Sequence, residues 1–308
     1  MSGEAPRNAQ AALPLETIVA LALWGSVPVV IRYVSANPFA IGIVRLIAAS
    51  ILIRLLFVGP GGLRNLSRRD GWGLLAIGLC FGLHWVLYFF SIKLSSASLG
   101  AIGLSAYGIC LVLLSALFEG SRLKAIDLLA LALCIVGSLL LAPGSGMFES
   151  STVAIGLLCS VGSAFCFACL PILHRRFRHL GPGVRTFGQF FFALPLFLPG
   201  LPWAGLEALS ANDWMWLGYL TIFGTIIGHG LWIRVSTALH PTTTSTVYYI
   251  YLPVALGFSY LFLGERLDPS MLAGAVLIVS GSILGVRNQQ PQSISEATRS
   301  PDSTAPSK

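Results

Sequence analysis

The stretch Leu117-Phe118-Glu119-Gly120-Ser121-Arg122-Leu123 has a near copy in Leu261-Phe262-Leu263-Gly264-Glu265-Arg266-Leu267, which lies 144 positions further along the chain. Each stretch leads into an apolar run, and the two runs end in Gly-Ser followed by two aliphatic residues, at 137–140 and 281–284. Self-similarity at a constant spacing is the signature of a duplicated structural unit. The sequence therefore predicts two copies of one unit.

Aromatic residues extend the match beyond these two stretches. The same shift superimposes Trp72 on Trp216 and Tyr107 on Tyr251 without a gap. The duplication therefore reaches well upstream of the two stretches.

The composition is that of a membrane protein. Hydrophobic residues make up 55% of the chain and charged residues only 10%, and the mean hydropathy is +0.81. A soluble protein is about 25% charged, whereas a helix that crosses a bilayer needs about 20 apolar residues. We therefore expect an all-α integral membrane protein in contact with lipid, and neither a soluble enzyme nor a nucleic-acid-binding protein.

Turn-forming clusters and prolines interrupt the apolar runs, because neither continues a helix. They divide the chain into ten predicted spanning helices, at 15–34, 38–58, 71–92, 97–117, 124–142, 152–174, 184–202, 213–236, 242–262 and 270–287. Residues 15–142 are then the first five-helix repeat and residues 152–287 the second. Residues 1–14 are predicted to be a flexible tail. Residues 288–308 are predicted to be disordered, since they have almost no apolar surface to bury.

The Lys and Arg residues are unevenly distributed between the two sides of this predicted bundle. If the amino terminus is cytoplasmic, the outer side holds only Arg32, Lys93 and Arg266. Cytoplasmic loops carry an excess of such cations, so both termini are predicted to be cytoplasmic in a protein of the cell (inner) membrane. Five spans is an odd number, so the second repeat is predicted to be inverted relative to the first, as in many transporters.

Four short motifs carry a resemblance to a known family. They are Leu23-Trp24-Gly25 in the first span, Arg45 in the second, Pro253 in the ninth, and Leu263-Gly264-Glu265-Arg266-Leu267 at the end of the ninth. With the ten spans and the repeat, they make residues 15–287 resemble an EamA-type member of the drug/metabolite transporter superfamily. Pro253 and Glu265 of the second repeat have no counterpart in the first, where Ile109 and Ser121 occupy the equivalent positions. The two halves are therefore not expected to move symmetrically.

The resemblance implies a secondary transporter that works by alternating access. It implies an exporter of small organic metabolites such as amino acids, with a small-molecule solute as its partner. A homodimer is left open.

Two histidines lie at predicted membrane depth, where an ionisable group is costly and therefore a functional candidate. His84 and Tyr88 share a face of the third span, and His229 and Trp232 share a face of the eighth. Tyr88 and Trp232 are equivalent under the repeat shift. An imidazole and an aromatic ring from each repeat would suit an amphipathic solute, although each histidine bonding a neighbouring helix is an open alternative.

Tyrosines near the centres of the fourth and ninth spans are further candidates for solute binding. Tyr107 and Tyr251 are equivalent, and Tyr248 shares a face with Tyr251. A phenol offers a flat apolar surface and one hydroxyl that needs a partner. Pro253 has no amide hydrogen, so the carbonyl of Tyr249 is predicted to lose its helical partner and to face solute or water. A plain packing kink at Pro253 is the alternative.

Arg45 lies in the outer third of the second span. Its guanidinium is predicted either to bind an anionic group of the solute or to cap the carbonyls of a neighbouring helix. A carrier of sugar phosphates or nucleotide sugars would need several cations to bind a dianionic group, and only Arg45, with Lys93 as a second candidate, is available.

The sequence predicts no catalytic residue, no cofactor and no metal. It contains no His-Glu-x-x-His and no nucleotide-binding glycine-rich loop. Cys166-x-x-Cys169 has the spacing of a redox or zinc pair but lacks a second ligand pair, so packing is predicted. Acidic side chains lie in tails, in loops or at helix ends, which favours uniport or exchange and leaves proton coupling only to the two histidines. A sugar-phosphate or nucleotide-sugar exchanger, a membrane receptor and an intramembrane enzyme are the remaining alternatives.

Overall fold

The computed structural model describes residues 5–121, 124–140, 150–266 and 269–287. Within these ranges the chain is helical and contains no strand. The helices are α1 Ala5–Tyr33, α2 Pro38–Phe57, α3 Arg68–Leu94, α4 Ala97–Leu104, α5 Tyr107–Glu119, α6 Ala125–Leu140, α7 Ser151–Arg176, α8 Pro182–Phe191, α9 Ala211–Tyr219, α10 Gly228–Ala238, α11 Pro241–Tyr248, α12 Tyr251–Leu263 and α13 Pro269–Arg287. The tail predicted at 288–308 lies outside the described residues.

Seven helical segments of the described chain are long and apolar enough to cross a membrane. They are Leu13–Tyr33, Pro38–Phe57, Arg68–Leu94, Ala97–Glu119, Ser151–Arg176, Ala211–Ala238 and Pro241–Leu263. Shorter apolar segments lie in α6, at Ala125–Ser138, and in α13, at Leu272–Gly285. The prediction of an all-α integral membrane protein is confirmed.

The first helix begins at Ala5, earlier than its predicted start at residue 15. Pro6 lies in its first turn, where the missing amide hydrogen costs no helical bond. Ala9, Ala11 and Ala12 follow, and alanine is the best helix former. Residues 5–14 therefore belong to the first helix.

The seventh predicted span, at 184–202, is an α-helix only as far as Phe191. The chain continues in 3₁₀ turns at Leu194–Leu196 and Leu198–Trp203. Pro195, Pro199 and Pro202 supply no amide hydrogen to an α-helix, which explains why the prediction of one continuous helix is wrong here.

The fourth and ninth predicted spans are each divided in two, at equivalent positions. One break lies at Ser105 and Ala106, between α4 and α5, and the other lies at Tyr249 and Ile250, between α11 and α12. The amide of Leu252 donates to the carbonyl of Tyr249 at 3.0 Å, so this carbonyl has an i+3 partner in place of the α-helical one that Pro253 cannot supply. The first repeat has the same break without a proline, so the break does not depend on Pro253.

Equivalent helix ends have the same geometry in both repeats. α5 and α12 end at Gly120 and Gly264, whose φ angles are 65° and 66°. Their amides donate to the carbonyls of Ser115 and Ser259, which are also equivalent. Only glycine adopts this left-handed conformation at little cost, which explains why the quoted stretches share a glycine.

The helix equivalent to α3 contains one extra residue. α3 lies between the caps Ser67 and Ser95, while its counterpart lies between Ser210 and Leu239 and includes a π-helical segment at Leu220–Ile227. A π-bulge is a one-residue insertion into an α-helix and is frequent at functional sites. This π-helical segment forms part of the central site.

Equivalent helices pack against each other in antiparallel pairs. In the pair α6–α13, Gly137 approaches Gly274 and Ile278, whereas Gly281 approaches Ala130 and Cys134. Later residues of α6 thus contact earlier residues of α13, so the two helices run in opposite directions. In the pair of α2 with α8 and its 3₁₀ extension, Gly183 approaches Phe57 and Gly200 approaches Phe39, again in opposite directions.

Candidate functional site

A small cavity lies at the centre of the bundle, where helices of both repeats meet. It has a volume of about 30 Å³. A cavity of about 10–15 Å³ holds one water molecule, so this space admits water but not an organic solute. Its wall consists of Trp24, Val27, Arg45, His84, Trp85, Tyr88, Phe89, Leu104, Phe167, Gly224, His229, Tyr248 and Tyr251.

Two larger grooves lie nearer the surface. One, of about 310 Å³, is lined by residues of α2, α8 and α10 and by the π segment. The other, of about 610 Å³, is lined by residues of α3, α5 and α7. Both walls include highly exposed apolar side chains, such as Phe57 and Phe118, as expected for surfaces that face lipid. The central cavity is the candidate site because its polar groups come from both repeats and are buried.

Arg45 is buried, with 1% of its surface exposed. Its Nε and Nη2 groups donate to the Thr225 hydroxyl at 3.0 and 2.9 Å, and that hydroxyl donates to the carbonyl of Leu220. The guanidinium carbon lies 4.0 Å from the centre of the Trp85 ring, a cation–π contact. Nη1 has no hydrogen-bond partner among the described residues. Arg45 is therefore anchored to the π segment, lines the cavity, and has one buried donor group without a partner in the described structure.

His84 joins α3 to α7. Its Nδ1 lies 2.6 Å from the Ser163 hydroxyl and 3.1 Å from the Ser163 carbonyl. The Ser163 hydroxyl donates to the carbonyl of His84 at 3.0 Å, so it accepts from Nδ1. This assigns the proton to Nδ1 and leaves Nε2 as a hydrogen-bond acceptor.

A pair of tyrosines closes another part of the wall. The hydroxyls of Tyr88 and Tyr251 are 2.5 Å apart, which links α3 of the first repeat to α12 of the second. The ring of Tyr248 stacks on that of Tyr251, with centroids 5.4 Å apart. Polar contacts at this wall thus connect the two repeats directly.

His229 lies among aromatic rings. Its centroid is 4.6 Å from that of Trp24, 4.9 Å from Phe81 and 5.8 Å from Trp85. We find no hydrogen bond to either ring nitrogen of His229 within the described ranges. The imidazole is therefore positioned by ring packing alone.

Three predicted site residues do not line the cavity. Tyr107 and Trp232 are buried behind the wall, where they pack on Tyr248 at ring distances of 4.2 and 5.5 Å. Their polar atoms, Oη of Tyr107 and Nε1 of Trp232, have no partner among the residues described. Pro253 lies in the first turn of α12, partly buried.

Other wall residues were not singled out as binding residues from the sequence. Trp24 was quoted only as part of a motif, yet its Nε1 donates to the Gly224 carbonyl at 3.1 Å and its ring lies against Phe167. Phe167 also stacks on His84 at 4.5 Å. No sequence pattern distinguishes Phe167 from the many other apolar residues of the spans. Thr225 was missed because a π segment cannot be recognised from spacing.

Two equivalent contacts join the repeats at opposite ends of α3. At one end, Asp70 in its first turn accepts from His179 at 2.8 Å. At the other, Lys93 donates to the carbonyl of Val34, and the next residue, Ser35, donates to Asp213 through its amide and hydroxyl at 2.7 and 2.9 Å. Ser35 and His179 are equivalent under the repeat shift. We call these contacts the His179 latch and the Ser35 latch.

The cysteines do not form a recognised centre. Cys80 contacts the carbonyl of Cys166 at 3.0 Å, and all six thiols are free. Within the described ranges, no group of three or more His, Cys, Asp or Glu residues could hold a metal ion.

The sequence profile of the EamA-like transporter family matches residues 15–142 and again residues 154–287. The chain therefore belongs to the EamA-like transporter family. Its two profile matches correspond closely to the two copies seen in the sequence. The protein is accordingly a membrane transporter rather than an enzyme.

Relatives and a solved structure are consistent with this family. The chain is 26% identical over 287 residues to a protein of Streptantibioticus cattleyicolor named "Probable terminal-alkyne amino-acid exporter", covering 85% of this chain and 92% of that one. It is 26% identical over 228 residues to a Salmonella typhimurium protein named "Probable amino-acid metabolite efflux pump", covering 69% and 76%. A solved crystal structure matches with a TM-score of 0.71 and 18% identity, over 90% of this chain and 98% of that one, which shows a shared fold.

Proposed function

We infer that this chain is a secondary transporter that exports small organic metabolites, such as amino acids, by alternating access. We assign it to the cell (inner) membrane with both termini cytoplasmic. The observation that carries the proposal is the small central cavity, whose buried wall comes from both repeats and which lies between two equivalent latches. Opening one latch at a time would expose the cavity to each side in turn.

Ten spans in two inverted repeats, at 15–142 and 152–287, are the architecture we propose. The antiparallel contact of equivalent helices supports the inversion. Two helices related by a two-fold axis run antiparallel only when that axis is perpendicular to them, and in a membrane such an axis lies in the bilayer plane. This arrangement is the usual one for transporters with a central site.

The chemistry of the cavity supports an organic solute with an apolar portion. We propose that His84, Tyr88, His229, Tyr248 and Tyr251 bind the solute. Tyr107 and Trp232 would support Tyr248 from behind. Aromatic walls with a few polar groups are typical of sites for small organic molecules. The relatives named as exporters of amino acids or their metabolites support the same class.

The cavity offers less support for sugar phosphates or nucleotide sugars. Arg45 is the only Lys or Arg among the wall residues. A phosphate dianion is usually held by several charge-assisted bonds. We therefore retain the exporter of small metabolites as the proposed function.

Transport by the purified protein in liposomes tests the proposal. Preloaded vesicles should show saturable counterflow of an amino acid or a related metabolite without nucleotide. Tyr251→Ala and His229→Ala should abolish or re-rank transport, while Tyr260→Ala, on the exposed side of α12, should not. A wild-type protein that transports none of a broad solute panel would overturn the function. Equal kinetics of all three variants would remove only the site assignment.

A second experiment tests the orientation. Reporter domains fused to the two ends of the chain should both report the cytoplasmic side in intact cells. Reporters on opposite faces of the membrane would contradict the ten-span arrangement.

A further inference from the structure

We propose that the transported solute is a monocarboxylate with an apolar or aromatic body, whose carboxylate binds Arg45 and which needs no amino group. The inference rests on the proposed function and narrows its substrate class. It separates this chain from a carrier that requires a zwitterionic amino acid.

The charges of the cavity wall are the first argument. Among its thirteen residues, Arg45 is the only permanent cation, and none is a carboxylate. A buried charge is costly unless another charge or several hydrogen bonds compensate it. A carboxylate that enters this cavity meets a cation, whereas an ammonium group meets no anion and is repelled by Arg45.

The geometry of Arg45 is the second argument. Thr225 accepts from Nε and Nη2, and the Trp85 ring lies 4.0 Å below the guanidinium carbon. The position of the side chain is thus already set, with only Nη1 left without a partner in the described structure. A donor held in place and left unpaired in a buried wall is suited to an anionic acceptor that arrives from outside.

The remaining wall defines the body of the solute. Trp24, Phe167 and the ring of His229 face the same space, and these groups contact each other at 4.6 to 6.3 Å. Neutral acceptors and donors are available on His84 and on the tyrosine pair. Once the cavity is widened by opening of the bundle, this wall would suit an aromatic or branched aliphatic group.

Three solutes with one phenyl body separate the possibilities: 3-phenylpropionate, phenylalanine and phenethylamine. Uptake is measured in proteoliposomes, with protein-free vesicles subtracted, and binding is measured as the thermal shift of the detergent-solubilised protein. We expect saturable transport and binding of 3-phenylpropionate at least about tenfold stronger than of phenethylamine, since bonds to charged groups are the strong ones. Phenylalanine should not exceed 3-phenylpropionate.

Arg45→Met and Arg45→Lys complete the test. Arg45→Met removes an incompletely paired buried charge and should fold, because apolar replacements of buried charges are often tolerated. It should lose preference for the carboxylate by about tenfold or more, and Arg45→Lys should keep part of it. If phenylalanine or phenethylamine is preferred, or if Arg45→Met keeps the wild-type ranking, the monocarboxylate proposal is overturned and the transporter function stands. If the wild type binds and transports none of the three, the monocarboxylate proposal is also overturned. The broad solute panel described above then tests the transporter function on its own.

Discussion

Tyr107 and Tyr251 occupy equivalent positions in the two repeats, but their hydroxyls have different surroundings. The Tyr251 hydroxyl is 2.5 Å from that of Tyr88. The Tyr107 hydroxyl is buried beside Trp232 and makes no hydrogen bond of normal geometry among the described residues. The same substitution, Tyr→Phe, therefore makes a matched pair of perturbations with opposite expected effects on stability.

The magnitudes follow from these surroundings. Tyr251→Phe removes one hydrogen bond and leaves without a partner the hydroxyl of Tyr88, a residue that is only 5% exposed. A buried polar group left in this way costs about 1–3 kcal/mol. Tyr107→Phe removes a group that is already unpaired, so we expect no loss of stability and a gain of up to about 1 kcal/mol.

Thermal unfolding of the purified protein in detergent is the assay. One kcal/mol changes Tm by about 2–4 °C in a domain of roughly 150–250 residues, so a loss of about 1–3 kcal/mol in Tyr251→Phe should lower Tm by about 2 to 12 °C. Tyr107→Phe should leave Tm unchanged or raise it slightly. The double variant Tyr88→Phe/Tyr251→Phe should be less destabilised than the sum of its single variants, because no hydroxyl remains unpaired.

Two results would refute the reasoning. One is an equal loss of Tm for Tyr107→Phe and Tyr251→Phe, which would mean that the two hydroxyls have similar partners. The other is strict additivity of the Tyr88 and Tyr251 substitutions, which would mean that the pair is not coupled.

Three further predictions concern packing, the latches and the driving force. Gly137→Ala should lower Tm, because its Cβ would lie 2.6 Å from a backbone oxygen of α13 and overpacking costs about 1–3 kcal/mol. Gly257→Ala is the control and should not lower Tm, because a Cβ there would have nothing within 4 Å. Equal effects of the two variants on Tm would contradict the α6–α13 packing. Asp213→Ala should speed hydrogen–deuterium exchange at the α1–α2 junction and leave exchange at the α7–α8 junction unchanged. Asp70→Ala should have the reverse effect. A uniform increase in exchange would show general destabilisation instead of latch opening. An inside-negative potential of about 100 mV should shift the steady-state distribution of a transported monocarboxylate outward by about 50-fold, since one charge gains about 2.3 kcal/mol, and no shift would indicate a compensating co-transported charge.

The positions of the helices and the duplication could be predicted from the sequence because both depend on local properties. Apolar run length decides which segments can enter a bilayer, and glycine and proline decide where they end. Gly120 and Gly264 show this most clearly, since their left-handed φ angles follow from residue type. The equivalence of Tyr107 and Tyr251 was likewise visible from spacing alone.

The helix breaks inside the spans could not be predicted from the sequence in the same way. The sequence predicts a kink at Pro253 as one alternative, yet the first repeat breaks at the equivalent position with Ile109 in place of proline. The π segment that carries Thr225 has no distinguishing residue pattern. Such irregularities arise where helices must fit around a shared centre, so they depend on contacts between distant parts of the chain.

The sequence by itself determined the membrane-embedded helices, the twofold repeat and the small set of polar residues at depth, because hydropathy and residue type act locally. Only the tertiary structure decided which of those residues face a common space. It placed Arg45, His84, His229, Tyr88, Tyr248 and Tyr251 around one cavity, and it set Tyr107 and Trp232 behind the wall. The reason is physical: a side chain's partner lies on another helix, and the rotation of each helix about its axis is set by packing against all its neighbours at once.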